Sequence, residues 1–177
     1  MSETNWYVLT GAPSSGKTTL LKELEKFGYR VIHEVARGYI EMQMAQGRTL
    51  DEIRADKRSF ESWILDAKID IEAALPKDET IILDRAIPDS IAYFEVAGLD
   101  VKRAIEKSPR HRYKKVFLLD QLPYQVDHVR IEDRETATRL DRSLEQGYKM
   151  LGYDVIRIPA MSVKERTKII LQEIEEN

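Results

Sequence analysis

Short apolar runs alternate along the chain with longer segments in which apolar residues recur at helical spacing. Residues 6–10 form such a run and predict a buried strand. After a turn that contains glycine, leucines and Phe27 recur every three or four residues as far as Gly28, which predicts a helix that ends there. Residues 29–32 predict a second strand. The chain therefore opens as strand, loop, helix and strand.

Three further apolar runs predict the remaining strands of a sheet. They span residues 80–83, 116–119 and 153–158. The first two show no alternation of apolar and polar residues, which is typical of strands covered on both faces by helices.

Helical periodicity fills the stretches between these strands. One helix is predicted over residues 34–46 and is closed by Gly47. A capping box of Thr49 and Glu52 opens a long helical region that ends at Leu75, and this region fits either one helix or two. Its apolar residues are expected to share one face: Phe60, Trp63, Ile64, Ala67, Ile71 and Ala74.

The last helix is predicted to begin with a second capping box, Ser162 with Glu165, and to bury Val163, Ile170 and Ile174. Five strands that alternate with helices predict an α/β fold with a mostly parallel five-stranded sheet flanked by helices. No internal repeat or linker-like tract interrupts this pattern. We therefore expect residues 1–177 to form one domain.

Composition narrows the class of protein. Lys and Arg number 28 against 31 Asp and Glu, and the resulting net charge of -3 argues against a nucleic-acid-binding protein. The chain has no cysteine, which excludes disulfides, thiolate metal sites and a cysteine nucleophile. It shows neither a targeting segment nor a long apolar stretch, so we expect a cytoplasmic protein with no membrane partner. The oligomeric state is not predicted.

One motif indicates what the protein binds. Residues 11–18 match the phosphate-binding pattern G-x-x-x-x-G-K-[ST] at every fixed position. The match follows the first predicted strand and opens the first predicted helix, where main-chain amides and the positive helix end converge on an anion. The alternative is a structural glycine-rich turn with an exposed lysine. The context favours a P-loop NTPase that holds the phosphates of ATP with Gly11, Ala12, Pro13, Ser14, Ser15, Gly16, Lys17, Thr18 and Thr19.

Within this loop, Lys17 is expected to reach the β- and γ-phosphates, and Thr18 to offer its hydroxyl to Mg²⁺. Asp84 directly follows an apolar strand, which is the Walker B pattern of a carboxylate that holds Mg²⁺. Two other interpretations of Asp84 remain: it caps the next helix, or it pairs with Arg85 at the surface.

Glu34 follows the second strand and is expected at the same edge of the sheet, since ligands bind beyond the carboxyl ends of parallel strands. It fits a general base that deprotonates an acceptor hydroxyl, and equally a negative charge at a helix N-terminus. Arg37 and Asp89 are also expected near this crevice, where each either binds substrate or is an ordinary charged residue.

A candidate lid spans residues 121–134, a mostly polar segment that follows the fourth strand. It contains Arg130 and Arg134, which would close over the phosphates and stabilise the charge of the transition state. Phe60 and Trp63 are most simply core residues, with a stacking platform for a substrate base as the alternative. The three histidines show no spacing typical of metal ligands.

Four segments together carry a family resemblance: residues 11–18, 34–37 (E-V-A-R), 84–90 (D-R-A-I-P-D-S) and 130–133 (R-I-E-D). With them the chain resembles the NadR-like, AAA-type P-loop domains, a group that includes the ribosylnicotinamide kinase domain of NadR. The resemblance implies a nucleoside- or nucleotide-kinase-like fold with a lid, ATP with Mg²⁺, and phosphoryl transfer to a small acceptor. It also implies that Asp84 and Arg85 form the strand-end motif.

The functional expectation is a Mg²⁺-dependent kinase that transfers the γ-phosphate of ATP to a small, nucleoside-like metabolite. The residues expected to act in catalysis are Lys17, Glu34, Asp84, Arg130 and Arg134. The residues expected to bind the acceptor are Glu34, Arg37, Arg85 and Asp89. The alternative is an NTPase or nucleotide-dependent switch that acts through a protein partner. A nucleic-acid kinase would need a basic groove, which the net charge does not predict.

Overall fold

The computed structural model describes residues 2–123 and 134–176 of the chain. Eight α-helices lie in these residues: α1 (Lys17–Lys26), α2 (Val35–Ala45), α3 (Leu50–Ala55), α4 (Lys57–Ala74), α5 (Asp89–Val96), α6 (Lys102–Lys107), α7 (Arg134–Met150) and α8 (Val163–Glu175). A short 3₁₀ helix, Ser108–Arg110, follows α6. The described residues also contain seven strands: β1 (Ser2–Glu3), β2 (Trp6–Thr10), β3 (Arg30–Ile32), β4 (Ile81–Asp84), β5 (His111–Arg112), β6 (Lys115–Leu119) and β7 (Val155–Ile158).

The main sheet has five strands in the order β3-β4-β2-β6-β7, and every neighbouring pair is parallel. The strand that precedes the glycine-rich loop, β2, lies at the centre of the sheet, paired with β4 on one side and β6 on the other. The predicted α/β fold with a parallel five-stranded sheet is therefore confirmed. β1 and β5 form a separate two-stranded parallel sheet that the sequence pattern did not predict.

Alternate residues of β2 enter two different apolar layers. Tyr7 and Leu9 pack with α1 and α8, whereas Trp6 and Val8 pack with tyrosines of α7 and of the turns before β6 and β7. Both faces of the central strand are thus buried, as the unalternating apolar runs predict. In the part of the chain that the structure describes, no helix combines the length and apolar character needed to cross a membrane.

The long helical region after Thr49 forms two helices, because Asp56 interrupts it and caps α4 by accepting from the Ser59 amide at 3.2 Å. The face predicted to be buried in α4 is only partly correct. Ile64 is buried as predicted, but Trp63 is 37% exposed, and the other buried residues of the helix are Glu61, Leu65, Lys68 and Glu72. Three of the five buried residues are ionisable, and this face of α4 packs beside the charged ends of β3 and β4.

The last helix begins with the predicted capping box of Ser162 and Glu165. Ile170 and Ile174 are buried as predicted, but Val163 is 38% exposed. The prediction for Val163 is wrong because the residue lies in the first turn of α8, beyond the edge of the apolar layer that covers the sheet.

Candidate active site

The loop from Gly11 to Lys17 connects the carboxyl end of β2 to the first turn of α1. Two of its residues have left-handed backbone, Ser14 with φ of 65° and Gly16 with φ of 77°. Glycine suits this conformation because a Cβ would strain it. A glycine is also required at position 11, because neighbouring atoms lie too close to its Cα for a side chain. A Cβ there would lie 2.8 Å from the Ser15 hydroxyl and 3.1 Å from the Leu119 carbonyl.

The N-terminus of α1 leaves main-chain donors available at this loop. Gly16 is the cap residue and no side chain caps the helix. The Leu20 amide bonds to the Gly16 carbonyl at 3.2 Å, so helical hydrogen bonding begins there and the preceding amides of the first turn lie outside it. Such a cluster of amides, at the positive end of a helix, is suited to bind phosphate.

Lys17, Asp84 and Glu34 meet at the mouth of this loop. The Lys17 ammonium donates to Asp84 Oδ1 and lies 3.7 Å from Glu34 Oε2. Lys17 and Asp84 are both buried, whereas about a third of the Glu34 side chain is exposed. The structure thus brings together three residues that sequence analysis assigned to catalysis from three separate elements.

Two of the alternatives for these acids do not match the geometry. Asp84 is not a helix cap, since α5 begins at Asp89 with Pro88 as its cap residue, and its partner is a buried lysine rather than a surface arginine. Glu34 does occupy the cap position of α2, yet its side chain makes no capping bond. Its carboxylate is instead turned toward Lys17 and Arg85.

Arg85 organises the wall beside Glu34. Its Nε donates to Glu34 Oε1 at 3.0 Å and its guanidinium lies over the ring of Tyr93. Burial of the Glu34 carboxyl would raise its pKa, but the charges of Arg85 and Lys17 outweigh burial and hold the pKa below its ordinary value. Glu34 is therefore ionised at neutral pH and has an oxygen accessible from the crevice.

Asp89 does not present its carboxylate to a ligand, contrary to the sequence expectation. It is fully buried and accepts hydrogen bonds from the hydroxyls of Thr10 and Tyr148 and from the Ala86 amide. Its carboxylate is thereby used to hold the turn after β4. The motif placed Asp89 at the correct edge of the sheet, but the sequence could not show that three internal donors occupy it.

A second layer of charge lies behind this site on α4. Lys68 lines a small cavity together with Glu72, Asp84 and Arg85, and donates to the Ser90 hydroxyl at 3.4 Å. Burial lowers the pKa of Lys68, although the charge of Asp89 opposes the shift. Sequence analysis did not find this layer, because polar residues at helical spacing ordinarily indicate a solvated face.

Thr18 and Asp84 supply the donor types that suit Mg²⁺. Thr18 lies at the second position of α1 with its side chain exposed, and Asp84 ends β4. A hydroxyl and a carboxylate are both hard oxygen ligands, which Mg²⁺ prefers. Among residues 2–123 and 134–176 no cluster of three or more His, Cys, Asp or Glu could hold a metal. The residues present therefore fit an ion shared with phosphate oxygens better than a protein cage.

Two side chains and one main-chain amide from outside the loop donate hydrogen bonds to its carbonyl oxygens. Sequence analysis found none of these contacts. Gln121 Nε2 donates to Pro13 O at 3.3 Å, and the Leu122 amide donates to Ser14 O at 3.1 Å. Arg166 Nη1 donates to Ser15 O at 2.5 Å. These contacts join positions far apart in the chain, so no local spacing signals them.

Several predicted residues lie outside what the structure describes. Arg130 and most of the candidate lid fall in residues 124–133, beyond the described ranges. Arg37 lies in α2 and Arg134 begins α7, but their side chains are not described. The proposed roles of these arginines stay predictions.

The aromatic residues of α4 pack against α2. Tyr39 lies 4.6 Å from Trp63 and 5.5 Å from Phe60, measured between ring centroids. Tyr39 is buried and the three rings form one cluster. The rings therefore join two helices, but the exposure of Trp63 differs from the interpretation of this residue as part of the core.

Comparison of the sequence with known families gives one match that spans most of the chain. A family described as an AAA domain matches residues 6–166. The sequence is also 28% identical over 167 residues to a thymidylate kinase of Xanthomonas oryzae pv. oryzae, an alignment that covers 84% of this chain and 73% of that protein.

Solved structures of nucleoside and nucleotide kinases share the fold. A deoxyadenosine kinase from M. mycoides, with products dCMP and a flexible dCDP bound, superposes with a TM-score of 0.65 at 18% identity and covers 97% of this chain and 100% of its own. NadR in complex with NAD and AMP-PNP superposes with a TM-score of 0.71 at 18% identity, over 99% of this chain and 49% of NadR. These likenesses confirm the kinase-like fold, and the match to the AAA-domain family confirms the resemblance drawn from the sequence motifs.

Proposed function

This chain belongs to the AAA-domain family that matches residues 6–166, and on that premise we propose that it is a Mg²⁺-dependent kinase. It would transfer the γ-phosphate of ATP to a hydroxyl of a small, nucleoside-like metabolite. The observation that carries the proposal is the meeting of Lys17, Asp84 and ionised Glu34 at the mouth of the phosphate loop. Phosphoryl transfer to a hydroxyl requires a lysine and a carboxylate for the phosphate donor, and it uses a second carboxylate for the acceptor hydroxyl.

The donor side is formed by the loop and Lys17. The amides of the first turn of α1 would bind the phosphates, and the Lys17 ammonium would leave Asp84 to contact the β- and γ-phosphate oxygens. Thr18 and Asp84 would hold Mg²⁺ through their hydroxyl and carboxylate oxygens. The bound ion would supply positive charge that offsets the negative charge on the transferred group.

The acceptor side is formed by Glu34. Its second oxygen, Oε2, would accept a hydrogen bond from the acceptor hydroxyl, orient that hydroxyl toward the γ-phosphate and take its proton as the new bond forms. Arg85 keeps the carboxylate ionised and fixed in direction. Because the pKa of Glu34 lies below its ordinary value, the carboxylate is unprotonated at neutral pH, as a base has to be before transfer.

The proposal is tested by incubating the protein with ³²P-labelled ATP, Mg²⁺ and a panel of nucleosides and vitamins. We expect labelled product with at least one acceptor. With that acceptor, Glu34→Gln should lower kcat by about 10²–10⁴-fold, because the general base is lost. Its ATP affinity, measured by calorimetry, should remain close to that of the original protein.

Glu25→Gln is the matched control, since Glu25 is an exposed carboxylate that pairs with His33 near the same strand end. It should leave transfer unchanged. Full transfer activity in Glu34→Gln would refute the base assignment. ADP formation that no acceptor accelerates, across the whole panel, would instead favour the alternative of an NTPase switch.

A further inference from the structure

Arg166 is a buried arginine beneath the phosphate loop, with 2% of its surface exposed. It lies in the first turn of α8 and donates to three main-chain carbonyls. These are Ser15 O at 2.5 Å, Pro159 O at 2.7 Å and Asp120 O at 2.8 Å. One side chain therefore joins the phosphate loop to the residues that follow β6 and β7.

The contact with Ser15 determines which way one peptide group of the loop points. In a trans peptide the C=O of one residue and the N–H of the next point in opposite directions. Because Arg166 holds Ser15 O from behind the loop, the Gly16 N–H is directed to the other side, where phosphate is proposed to bind. The left-handed backbone of Gly16 agrees with this turned peptide.

The charge of Arg166 is not matched by a contacting carboxylate in the described ranges. Its three acceptors are neutral carbonyls. The nearby Asp120 carboxylate pairs with Arg157 at 2.6 Å instead. Burial lowers the pKa of Arg166, and the charge of Asp120 only partly opposes that shift. A buried charge without a paired counter-charge is costly unless an anion completes the site.

We propose that Arg166 is a positioning residue of the phosphate site, which aims the Gly16 amide at the triphosphate and supplies a buried positive charge that the phosphates balance. Arg166 acts through Ser15 and does not itself contact the ligand. The inference rests on the proposed nucleotide site and deepens it, by assigning part of the affinity for phosphate to a residue of the last helix.

The test compares Arg166→Met with Arg112→Met. Arg112 also donates to two main-chain carbonyls, Leu151 O at 3.2 Å and Gly152 O at 2.7 Å, but at the opposite edge of the sheet. The affinities for ATP and for inorganic tripolyphosphate are measured by competition against labelled ATP, and unfolding is followed in urea.

We expect Arg166→Met to raise both dissociation constants by the same factor, about tenfold or more, because a charge-assisted hydrogen bond behind the loop is lost. Arg112→Met should leave both constants unchanged. Arg166→Lys keeps the charge without the three-way contact and should give intermediate values. Partial unfolding would also weaken both ligands by the same factor, so the urea measurements have to show that Arg166→Met is folded under the binding conditions before the loss is assigned to the loop.

Unchanged dissociation constants in Arg166→Met would overturn the inference, as would a loss for ATP that tripolyphosphate does not share. If Arg166→Met fails to fold, Arg166→Lys decides on the same two criteria. Failure of the original protein to bind ATP would refute the proposed function itself. Acceptor phosphorylation by the original protein, with Arg166 variants unaffected, would refute this inference alone.

Discussion

Two buried glutamates of α4 show how the surroundings of a single residue determine its pKa. Burial raises the pKa of both Glu61 and Glu72 to about 7. Glu72 accepts from the Ile87 amide at 2.9 Å and from the Tyr113 hydroxyl at 2.8 Å, so its carboxyl is built into the core. Glu61 is buried beside the charges of Lys68, Arg85 and Glu34 and has no comparable pair of donors among the described residues.

The raised pKa of Glu61 predicts that this residue makes stability depend on pH. The unfolded chain releases the Glu61 proton near pH 4.5 and the native protein only near pH 7, so the native state binds more protons between these values and stability falls as pH rises through them. Glu61→Gln removes this effect. We expect the free energy of unfolding of the variant, relative to that of the original protein, to increase by at most roughly 3 kcal/mol between pH 4.5 and pH 8.

Urea denaturation at pH 4.5, 6 and 8 measures the change. Asp70→Asn, at an exposed position on the same helix, is the control and should show no such trend. A constant difference between Glu61→Gln and the original protein at all three values would contradict the assigned pKa.

At the scale of elements, the sequence predicted the features that depend on residues close together along the chain. The five strands of the main sheet, the capping boxes at Thr49 and Ser162, and the glycine that follows α1 were all found from the sequence. The buried face of α4 was not, because apolar periodicity assumes that helices turn apolar residues inward, whereas α4 turns Lys68 and Glu72 toward the strand ends. The short β1–β5 pair was also missed, since two residues carry no periodicity.

The candidate site divides in the same way. The loop motif and the acids after β3 and β4 were predictable, since parallel topology brings strand ends to one edge. The contacts of Arg166, Gln121 and Leu122 with the loop were not, because they depend on tertiary packing between segments more than 100 positions apart along the chain, such as Gln121 and Pro13.

The two capping boxes predict a difference between helices. Ser162→Ala and Thr49→Ala each remove a side chain that accepts from the third amide of its helix, and each should lower the free energy of unfolding by about 1 kcal/mol. Only Ser162→Ala loosens the turn of α8 that carries Arg166, so only this variant should also weaken ATP binding. Calorimetry and urea denaturation test both expectations, and equal ATP affinities would show that the first turn of α8 holds without its cap.

At the scale of the whole molecule, the site is assembled from four elements that surround one edge of the sheet. The loop after β2, the ends of β3 and β4, and the start of α8 each contribute residues. A ligand that binds at this site would stabilise the entire fold by mass action, since it binds the native state and not the unfolded chain.

We therefore expect ATP with Mg²⁺, at about 100 times its dissociation constant, to stabilise the protein by about 2.7 kcal/mol. For a chain of this size the midpoint of thermal unfolding should rise by roughly 5–10 °C. Lys17→Ala should lose most of this rise because it removes the phosphate contact. Circular dichroism at increasing ATP concentration measures the shift, and an equal rise in Lys17→Ala would contradict the role of Lys17.

The ion pair of Lys17 with Asp84 has a consequence for turnover. On the proposed function, Lys17 would have to leave Asp84 in order to contact a phosphate, so nucleotide binding would replace one ionic partner of the lysine with another. When the product nucleotide dissociates, Asp84 would pair with Lys17 again. The carboxylate would therefore compete with the product for the lysine, and this competition would favour release of the product.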